Sequence, residues 1–479
     1  MSPVDLEPVI GLEIHVQLST RTKMFCSCEL SFGEDPNTRT CPVCLGLPGA
    51  LPVTNAEAIH FGLMMAMAFD ADIADRSTFH RKNYFYPDLP KGYQVSQYDE
   101  PLCTGGHLGE VRLHRIHLEE DAAKLVHAGA SGRIHGSDSS VVDYNRGGTP
   151  LAEMVTEPDL RSAEQARDWL TLLRVTLRQL GVSDVNMEEG SLRCDANVSV
   201  RPRGSTELGT KTELKNMNSF RFVMQGINAE IARQVGLVQA GEPVVQETLH
   251  FDPASGRLSS LRSKEEAHDY RYFPEPDLVP VVPTPAMLDR ARAAIPELPA
   301  ARAERYERDF ALAVDTARLM AYEPRLGEYF ELAAAPGGSD GAQSAAVANW
   351  VTELRTRIGA GADPAESRVD PAAVSELAAM VSAREINASA ARQVLDALVA
   401  EGGRPRAIVD REGLGAMDSG DELSGIVAAA LEANPDAAAK VRDGNAKAMG
   451  PIVGHVMRET KGRADGGEVG RLVREQLGL

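Results

Sequence analysis

The chain has 479 residues, too many for one hydrophobic core, and this length predicts about two to four domains. Its 43% apolar and 25% charged residues are typical of a soluble globular protein. No segment approaches the ~20 apolar residues of a membrane span. The first residues lack the basic start and apolar run of a signal peptide, so we expect a cytoplasmic protein with no membrane partner. The net charge of −19 argues against broad, non-specific binding to phosphates.

The first predicted element is a strand at residues 9–18, VIGLEIHVQL. Its apolar residues recur with a period of two and would face a core: Ile10, Leu12, Ile14, Val16 and Leu18. The opposite face carries Glu13, His15 and Gln17 in a row. Polar outer faces are normal for strands, so this strand alone indicates no more than a solvent-facing surface.

The chain has six cysteines, and four of them form two close pairs in the pattern C-x-C-x12-C-P-x-C: Cys26, Cys28, Cys41 and Cys44. In a long cytosolic chain, clustered cysteines are better explained as metal ligands than as disulfides. Four thiolates suit a tetrahedral zinc ion with no open position, so the pattern predicts a structural zinc site. Free thiols are the alternative, because the C-x-C pair is tighter than the usual C-x2-C. We interpret Cys103 and Cys194 as small buried apolar residues.

Residues 81–99, RKNYFYPDLPKGYQVSQYD, combine basic and aromatic side chains in a chain that is only 5% aromatic. Arg81, Lys82 and Lys91 alternate with tyrosine and phenylalanine residues. Phosphate pairing and base stacking make this composition suitable for binding an RNA end or a nucleotide. The alternative is a proline-restrained loop whose aromatic side chains pack inward.

Carboxylates are grouped in three later segments, HRIHLEEDAAK (114–124), GGTPLAEMVTEPD (147–159) and NMEEGSLRCDANVS (186–199). The first segment contains three adjacent acids, Glu119, Glu120 and Asp121. Magnesium sites are assembled from single carboxylates on several strands, because Mg²⁺ prefers a few carboxylates, water and substrate phosphates. A solvated charged face is the alternative for the first segment.

Residues 1 to about 290 mix short strands with turns and a few helices, which predicts an α+β domain. One helix is predicted at 162–181, with Ser162 and Gln165 as a capping box, a leucine stripe, and Gly181 at its end. A second helix is predicted from residue 219 to about residue 240. There is no G-x-x-x-x-G-K-[ST] loop, so ATP binding of the P-loop type is excluded, and we find no amidase-like motif.

The composition changes after a proline-rich segment at 272–285. Residues 286–405 have Ala, Leu, Glu and Arg at helical spacing and predict a helical domain. The segment EGGRPR (401–406) indicates a hinge to a last helical module. Residues 437–479 carry more basic than acidic side chains, an asymmetry that suits either an acidic partner or a solvated helix surface.

Eight segments occur in chain order between residue 9 and about residue 280: VIGLEIHVQL, CPVCLGLPGALPVTN, RKNYFYPDLPKGYQ, HLEEDAAK, DYNRGGTPL, GVSDVNMEEGSLRCDANVSVRP, ELKNMNSF and DYRYFPEPDL. Together they closely resemble the GatB family, the B subunits of aspartyl/glutamyl-tRNA amidotransferases. The end of the chain resembles the YqeY-like domain of this family.

The resemblance implies one component of a heterotrimeric carbon–nitrogen ligase that uses glutamine as amido-nitrogen donor. GatB chains bind misacylated Glu-tRNA(Gln), Asp-tRNA(Asn) or both, and they phosphorylate the side-chain carboxylate with ATP and Mg²⁺. Ammonia from the A subunit, which is the amidase, then displaces the phosphate and gives Gln-tRNA(Gln) or Asn-tRNA(Asn). The small C subunit wraps around the other two, and a non-discriminating aminoacyl-tRNA synthetase is a further expected partner.

The resemblance also implies roles for single residues. The catalytic residues would be those on the family's metal-binding motifs, with Glu119 as an alternative Mg²⁺ ligand to Glu120: Glu13, His15, Glu120 and Glu153. Weaker candidates for binding ATP or the aminoacyl end are Lys82, Arg146, Arg193, Glu213 and Lys215. The zinc-bearing version of the family has the same four cysteines, so Cys26, Cys28, Cys41 and Cys44 would hold a structural Zn²⁺.

For the fold, the resemblance implies an antiparallel-sheet cradle related to glutamine synthetase at 1–290. An all-α domain at 291–402 and a YqeY-like, tRNA-binding tail at 407–479 would follow, with Lys461 and Arg463 as basic residues of the tail. Two positions depart from the family's usual sequence. Ala123 replaces a glycine, which matters only if that backbone needs positive φ. Pro451 replaces an aromatic or aliphatic residue, so we expect the tail helix to start later.

Two other classes of function fit the same features. A zinc-containing tRNA-binding module without catalysis would use the cysteines and the basic tail, and it predicts that substitution of Glu13 or Glu153 leaves function intact. A freestanding amide ligase that takes free ammonia predicts full activity without partner chains. The amidotransferase interpretation predicts loss of turnover with RNA binding retained.

Overall fold

The computed structural model describes residues 5–128, 139–263, 270–337, 341–415, 421–460 and 463–479. The chain divides into two compact units, Met1–Leu298 and Pro299–Leu479. In its described residues the first unit combines a large sheet with helices and the second unit is helical, so the predicted α+β class is confirmed. Lys461 lies outside the described residues.

The described strands all belong to the first unit. They are β1 Leu6–Gln17, β2 Asp72–Ile73, β3 His80–Asn83, β4 Tyr93–Ser96, β5 Cys103–Thr104, β6 His107–Leu108, β7 Val111–Glu120, β8 Lys124–Ala128, β9 Ser139–Asp143, β10 Pro150–Thr156, β11 Leu192–Pro202, β12 Thr212–Lys215, β13 Glu247–Asp252, β14 Arg257–Ser263 and β15 Phe273–Pro274.

Ten of these strands form one large sheet in the order β14-β13-β12-β11-β1-β10-β7-β5-β2, with β6 paired to β7. Every pair in it is antiparallel except β12 with β13, so the predicted antiparallel character holds for nearly all of the sheet. Two smaller sheets consist of β15-β3-β4 and β8-β9. The first predicted strand is thus β1, a central strand of the large sheet.

The described part of the first unit has four helices: α1 Ala56–Ala68, α2 Ala163–Gln179, α3 Phe220–Ala240 and α4 Pro285–Ala294. Apolar side chains of the large sheet and of these helices form one buried cluster. Ile10, Leu12 and Ile14 of β1 are almost completely inaccessible, whereas Glu13 and His15 are only partly buried. The alternation along β1 therefore separates an apolar face, covered by helices, from a polar face.

Helix α2 begins and ends close to the predicted residues. Ser162 caps it by accepting a hydrogen bond from the Gln165 N–H at 3.1 Å, and Gly181 follows its end with a φ of +71°. The Gln165 side chain accepts from the N–H of Arg161 instead of Ser162, so only half of the predicted capping box forms. The leucine stripe is buried, and each such leucine stabilises the fold by about 1.5–3 kcal/mol. The second predicted helix is α3, capped by Ser219.

The second unit contains eleven described α-helices: α5 Pro299–Phe310, α6 Val314–Tyr322, α7 Pro324–Ala334, α8 Gly341–Ile358, α9 Pro371–Ser382, α10 Ala388–Glu401, α11 Pro405–Glu412, α12 Asp421–Ala433, α13 Pro435–Arg442, α14 Gly450–Glu459 and α15 Gly466–Leu477. Their apolar residues form two clusters, one around Tyr306, Tyr329 and Phe330, and one around Leu423, Val456 and Val469. No helix in the described parts of the chain has the length and apolarity that crossing a bilayer requires.

Both departures from the family sequence fit their local backbone. Ala123 is buried and is not among the residues with positive φ, so a glycine is not required there. Pro451 lies in the first turn of α14, which begins at Gly450. Arg463 donates from Nε to the Thr460 carbonyl at 3.1 Å, just after this helix.

Candidate active site and metal centres

The register of three central strands brings a row of polar side chains together. On β1, His15 lies opposite Glu153 of β10, and Glu153 lies opposite His117 of β7. On the other side of β1, His15 lies opposite Arg193 of β11. Residues opposite one another in a sheet point to the same face, so four strands contribute to one polar surface. Glu119, two residues after His117, lies on that surface as well.

Three carboxylates and two imidazoles converge at this point. His15 Nε2 lies 3.4 Å from Glu153 Oε2, 3.9 Å from Glu13 Oε1 and 4.0 Å from Glu119 Oε1. His117 Nε2 lies 3.4 Å from the same Glu153 oxygen and 3.5 Å from Glu119 Oε2. His117, Glu119 and Glu153 are buried, whereas Glu13 and His15 are partly exposed. We call these five residues the carboxylate–histidine cluster.

The electrostatics of the cluster favour ionised carboxylates on the buried side. Burial disfavours the charged form of Glu153, but hydrogen bonding to His15 and the charge of His117 outweigh it and lower the Glu153 pKa to about 2. For Glu119, burial is likewise outweighed by His117, and the pKa is lowered. Burial and the neighbouring Glu153 charge raise the pKa of Glu13. The cluster therefore combines buried negative charge with a more weakly ionised carboxyl at its exposed side.

Glu120 does not join the cluster. It is the next residue after Glu119 on β7, so its side chain points to the opposite face of the sheet. Its Oε1 accepts a hydrogen bond from Lys91 Nζ and a second from the Val95 N–H at 2.9 Å. The structure thus brings Glu119, and not Glu120, to the side chains of Glu13, His15 and Glu153.

Beside the cluster lies a set of paired charges centred on Asp121. Arg193 donates two hydrogen bonds to its carboxylate, at 3.0 and 3.1 Å, and Gln17 donates a third at 2.7 Å. Burial disfavours the Asp121 carboxylate, but the guanidinium groups of Arg193 and Arg146 outweigh this effect and lower its pKa. Arg146 also donates to the carbonyls of Ala122 and Ala123. Asp121 therefore fixes Arg193 next to the cluster.

Glu213 and Lys215 lie farther along the same polar face, on β12. Lys215 Nζ donates to Asp195 Oδ2 at 2.6 Å and lies 3.0 Å from Glu213 Oε1. Burial disfavours the ammonium, yet the charges of Asp195 and Glu213 raise the Lys215 pKa well above its ordinary value. Asp195 lies opposite Glu13 in the sheet, so this group adjoins the cluster.

Lys82 belongs to the small sheet β15-β3-β4, together with tyrosines from two segments. Burial disfavours its ammonium, but Tyr272 and the charges of Glu119 and Glu153 raise its pKa. Its Nζ lies 4.9 Å from the ring centroid of Tyr270. Tyr272 stacks on the half-exposed Tyr98 with ring centroids 4.3 Å apart. Lys82 on the second sheet, together with nearby tyrosine rings, thus lies close enough to the cluster to interact with its charges.

The donor set of the cluster fits a magnesium ion. Two overlapping groups, Glu13–His15–Glu153 and His117–Glu119–Glu153, have their ligand atoms within 4.8 Å of one another. Carboxylate oxygens are the ligands that Mg²⁺ prefers, so Glu13, Glu119 and Glu153 are the members of these groups that suit it. In the described residues the buried Nδ1 of His117 has no hydrogen-bond partner, and Nε2 is the His117 atom that lies near Glu119 and Glu153.

The four clustered cysteines fit a zinc ion. Cys26, Cys28, Cys41 and Cys44 have their sulfur atoms within 4.8 Å of one another. The Cys41 N–H donates to Cys44 Sγ at 3.1 Å, and hydrogen bonding to the Cys26 thiol lowers the Cys44 pKa. All four sulfurs come from protein, so a bound zinc ion would have a closed, structural coordination shell. Cys103 and Cys194 are buried apart from them, as expected from the sequence.

Comparison with known proteins gives the same family as the sequence motifs. A family model for the GatB/GatE catalytic domain matches residues 8–289, and one described as the GatB domain matches 328–477. Two proteins named as the B subunit of aspartyl/glutamyl-tRNA(Asn/Gln) amidotransferase, from Anaeromyxobacter sp. (strain K) and Frankia casuarinae, are each 48% identical to this chain. A protein of the same name from Persephonella marina is 43% identical. The alignments cover 99% of this chain and 99%, 96% and 100% of these relatives.

The chain belongs to the GatB family. The catalytic-domain match includes the whole carboxylate–histidine cluster, its charged neighbours and the four cysteines. The second match covers most of the helical unit, including the basic end of the chain. As a GatB chain it therefore carries both candidate metal centres within one domain.

Sequence reasoning considered the segment 114–124, with Asp121, for a magnesium site but gave no individual role to His117, Asp121 or Asp195, which the structure places in or beside the cluster. A signal for two of them was present. His117, Glu119 and Asp121 are spaced by two residues, the period at which side chains share one face of a strand. Asp195 carried no such signal, because its relation to Glu13 depends on the pairing of β1 with β11.

Proposed function

We propose that this chain is the B subunit of a tRNA-dependent amidotransferase and performs its kinase and amide-forming steps. The substrate is Glu-tRNA(Gln), Asp-tRNA(Asn) or both, and the product is the corresponding amide. The observation that carries the proposal is the convergence of Glu13, His15, Glu119 and Glu153 on one sheet face, with Lys82 beside them. Membership of the GatB family and the names of the relatives support the same conclusion.

The chemistry explains why such a site is needed. A carboxylate is a poor acceptor for ammonia, so one of its oxygens first attacks the γ-phosphorus of ATP and ADP leaves. Ammonia then attacks the acyl carbon, and the former carboxylate oxygen departs with the phosphate. Phosphoryl transfer depends mainly on positioning and on neutralisation of charge. A magnesium ion, when bound, supplies part of that neutralisation.

Each group of residues has a role in this scheme. Glu13, His15, Glu119 and Glu153 would hold the metal, with Glu119 in place of Glu120. Lys82, whose raised pKa keeps it cationic, would face the phosphates or the substrate carboxylate. Arg193, fixed by Asp121, and Arg146 would help to bind ATP or the aminoacyl end. Lys215 and Glu213 would form the far wall of the same surface.

The same proposal assigns partners to the chain and roles to the four cysteines, the stacked tyrosines and the basic end. The A subunit, an amidase, would supply ammonia, the small C subunit would complete the heterotrimer, and a non-discriminating synthetase would supply misacylated tRNA. The four cysteines would bind Zn²⁺ and stabilise the surface next to the tRNA acceptor end. The stacked tyrosines near Lys82 would accept a base of the RNA end or of ATP. The basic end of the second unit would bind the tRNA body.

The experiment is ATP hydrolysis by the chain copurified with its amidase and small partner subunits, with ammonium as nitrogen donor. Glutamyl-tRNA(Gln) is compared with the uncharged tRNA, for the natural sequence and for Glu153→Gln. The matched control is Glu157→Gln, because Glu157 is near in sequence but pairs with His114 outside the cluster. We expect hydrolysis that requires the misacylated tRNA and falls by about 100-fold or more only in Glu153→Gln.

A different result would favour the other class of function. If Glu153→Gln is as active as Glu157→Gln, or if hydrolysis is the same with charged and uncharged tRNA, the kinase assignment is wrong. Retained tRNA binding together with absent tRNA-dependent hydrolysis in the natural sequence would then indicate a non-catalytic tRNA-binding module.

A further inference from the structure

A cleft lies at the C-terminal end of α2, among residues to which the proposed catalysis gives no role. It has a volume of about 530 Å³. Its walls come from the end of α2, from the loop that follows and from the start of α3: Arg174, Arg178, Asn186, Met187, Asn218 and Phe220. Two exposed acids, Asp184 and Glu188, also line the cleft.

Within the described residues, Arg174 is a cation without a carboxylate partner. Its guanidinium lies 4.9 Å from the ring centroid of Phe220, and its buried Nε has no hydrogen-bond partner there. Burial and the nearby charge of Arg178 both lower its pKa, and no acidic group acts in the opposite direction. Among the described arginines whose pKa is shifted, Arg174 alone shifts downward. Asp184 and Glu188 therefore do not neutralise it.

Arg178 supplies a second cation to the same cleft. It is exposed, and it makes a long hydrogen bond of 3.4 Å from Nη2 to the Asp184 carbonyl. The first turn of α3 also lines the cleft, and the dipole of this 21-residue helix favours negative charge at its N-terminus. Neither arginine has a carboxylate partner among the described residues, although the chain has a net charge of −19. An anion in the cleft would relieve their mutual repulsion and restore the hydrogen bonds lost on burial.

We propose that this cleft binds a phosphate group through Arg174 and Arg178. Two planar guanidinium groups match the several oxygens of a phosphate better than a single carboxylate does. The amide groups of Asn186 and Asn218 add polar lining. The cleft is formed by α2 and α3, which pack on the apolar side of the large sheet, so this site is separate from the carboxylate–histidine cluster. The proposal does not depend on the proposed function.

The phosphate can come from two sources, a free phosphate compound or the backbone of an RNA, and two assays on the full-length chain distinguish them. The variants are Arg174→Gln and Arg178→Gln. The matched control is Arg167→Gln on the same helix, because Arg167 is already paired with Asp168 at 2.7 Å. Arg178 is exposed, so its variant tests the site even if Arg174→Gln is destabilised.

The first assay is equilibrium dialysis with radiolabelled inorganic phosphate at constant ionic strength. We expect binding about tenfold weaker in Arg174→Gln and Arg178→Gln, and unchanged within about twofold in Arg167→Gln. The second assay measures the affinity for an uncharged tRNA transcript as a function of salt. If the RNA backbone is the source, each of the two variants also reduces the salt slope by about one.

Weaker phosphate binding with an unchanged salt slope would support the site and identify a free phosphate compound as its ligand. Weaker phosphate binding together with a reduced salt slope for tRNA would support the site and identify RNA as its ligand. If Arg174→Gln and Arg178→Gln behave like Arg167→Gln in both assays, the proposal is overturned.

Discussion

At the scale of single residues, Glu119 and Glu120 show how strand geometry separates two chemically identical neighbours. Successive side chains of β7 point to opposite faces, so one carboxylate meets His15 and His117 while the other meets Lys91. The sequence offered both as metal ligands. The period of two was visible, but the face that carries the site depends on the pairing of β7 with β10.

This arrangement predicts different outcomes for Glu119→Gln and Glu120→Gln. Glu119→Gln removes a charge from the cluster and leaves the Lys91–Glu120 ion pair intact, so we expect kcat to fall by about 100-fold or more. Glu120→Gln leaves the largely buried Lys91 ammonium without its partner, so we expect the free energy of unfolding to fall by about 3–5 kcal/mol. Urea unfolding and tRNA-dependent ATP hydrolysis measure the two effects. Loss of turnover in a fully stable Glu120→Gln variant would contradict the assignment.

Several residue-level features could be predicted from local pattern alone. The apolar positions of β1, the Ser162 cap of α2 and the burial of Cys103 all follow from period, capping preference and the apolar character of cysteine. The contact between Asp195 and Lys215, and the position of Asp121 beside Arg193, could not be predicted. Asp195 and Lys215 are 20 residues apart on paired strands, and Asp121 and Arg193 are 72 residues apart, so both contacts depend on strand register, which no local preference specifies.

At the scale of elements, a buried lysine contacts the segment 26–44, which carries the four clustered cysteines. Lys23 is 1% exposed, and its Nζ donates to the Tyr144 carbonyl at 3.0 Å and lies 3.8 Å from Cys44 Sγ. A zinc ion with four thiolates carries a net charge of about −2. A buried ammonium next to one thiolate partly neutralises this charge, and it also ties the segment to the loop that precedes β10.

We therefore expect Lys23→Met to weaken zinc binding by about 10- to 100-fold, because the methionine keeps much of the apolar stem but not the charge. Lys211→Met is the matched control, since Lys211 is exposed and remote in sequence from the cysteines. Competition with a chromogenic chelator measures the affinity. Equal zinc affinity in the two variants, with unchanged circular dichroism, would show that the lysine has no such effect.

At the scale of the whole molecule, each unit contains its own hydrophobic core. One buried cluster lies within the first unit, and the other two lie within the second. Both candidate metal centres belong to the first unit, whereas the basic end of the chain belongs to the second. The change in composition after residue 285 predicted a mixed α+β region followed by a helical region. Composition and hydrophobic period indicate fold class even when the pairing of strands is unknown.

Separate expression of residues 1–298 tests this division. We expect a single cooperative unfolding transition, and zinc affinity within about threefold of the full chain, because the core and the cysteines are retained. Affinity for tRNA should fall by about tenfold or more, since the basic end is absent. Circular dichroism, chelator competition and filter binding measure these three properties. A fragment without a cooperative transition would contradict the assignment of an independent core.

Phosphorylation of the substrate carboxylate at the carboxylate–histidine cluster is tested most directly by isotope transfer. Glutamyl-tRNA(Gln) labelled with ¹⁸O in the side-chain carboxylate is incubated with ATP, ammonium and the chain copurified with its partners. The phosphate released is then analysed by mass spectrometry. We predict that each amide formed transfers one ¹⁸O atom to phosphate, and that Glu119→Gln lowers the rates of amide formation and of this transfer together by about 100-fold or more. Amide formation with unlabelled phosphate would contradict phosphorylation of the carboxylate at this site.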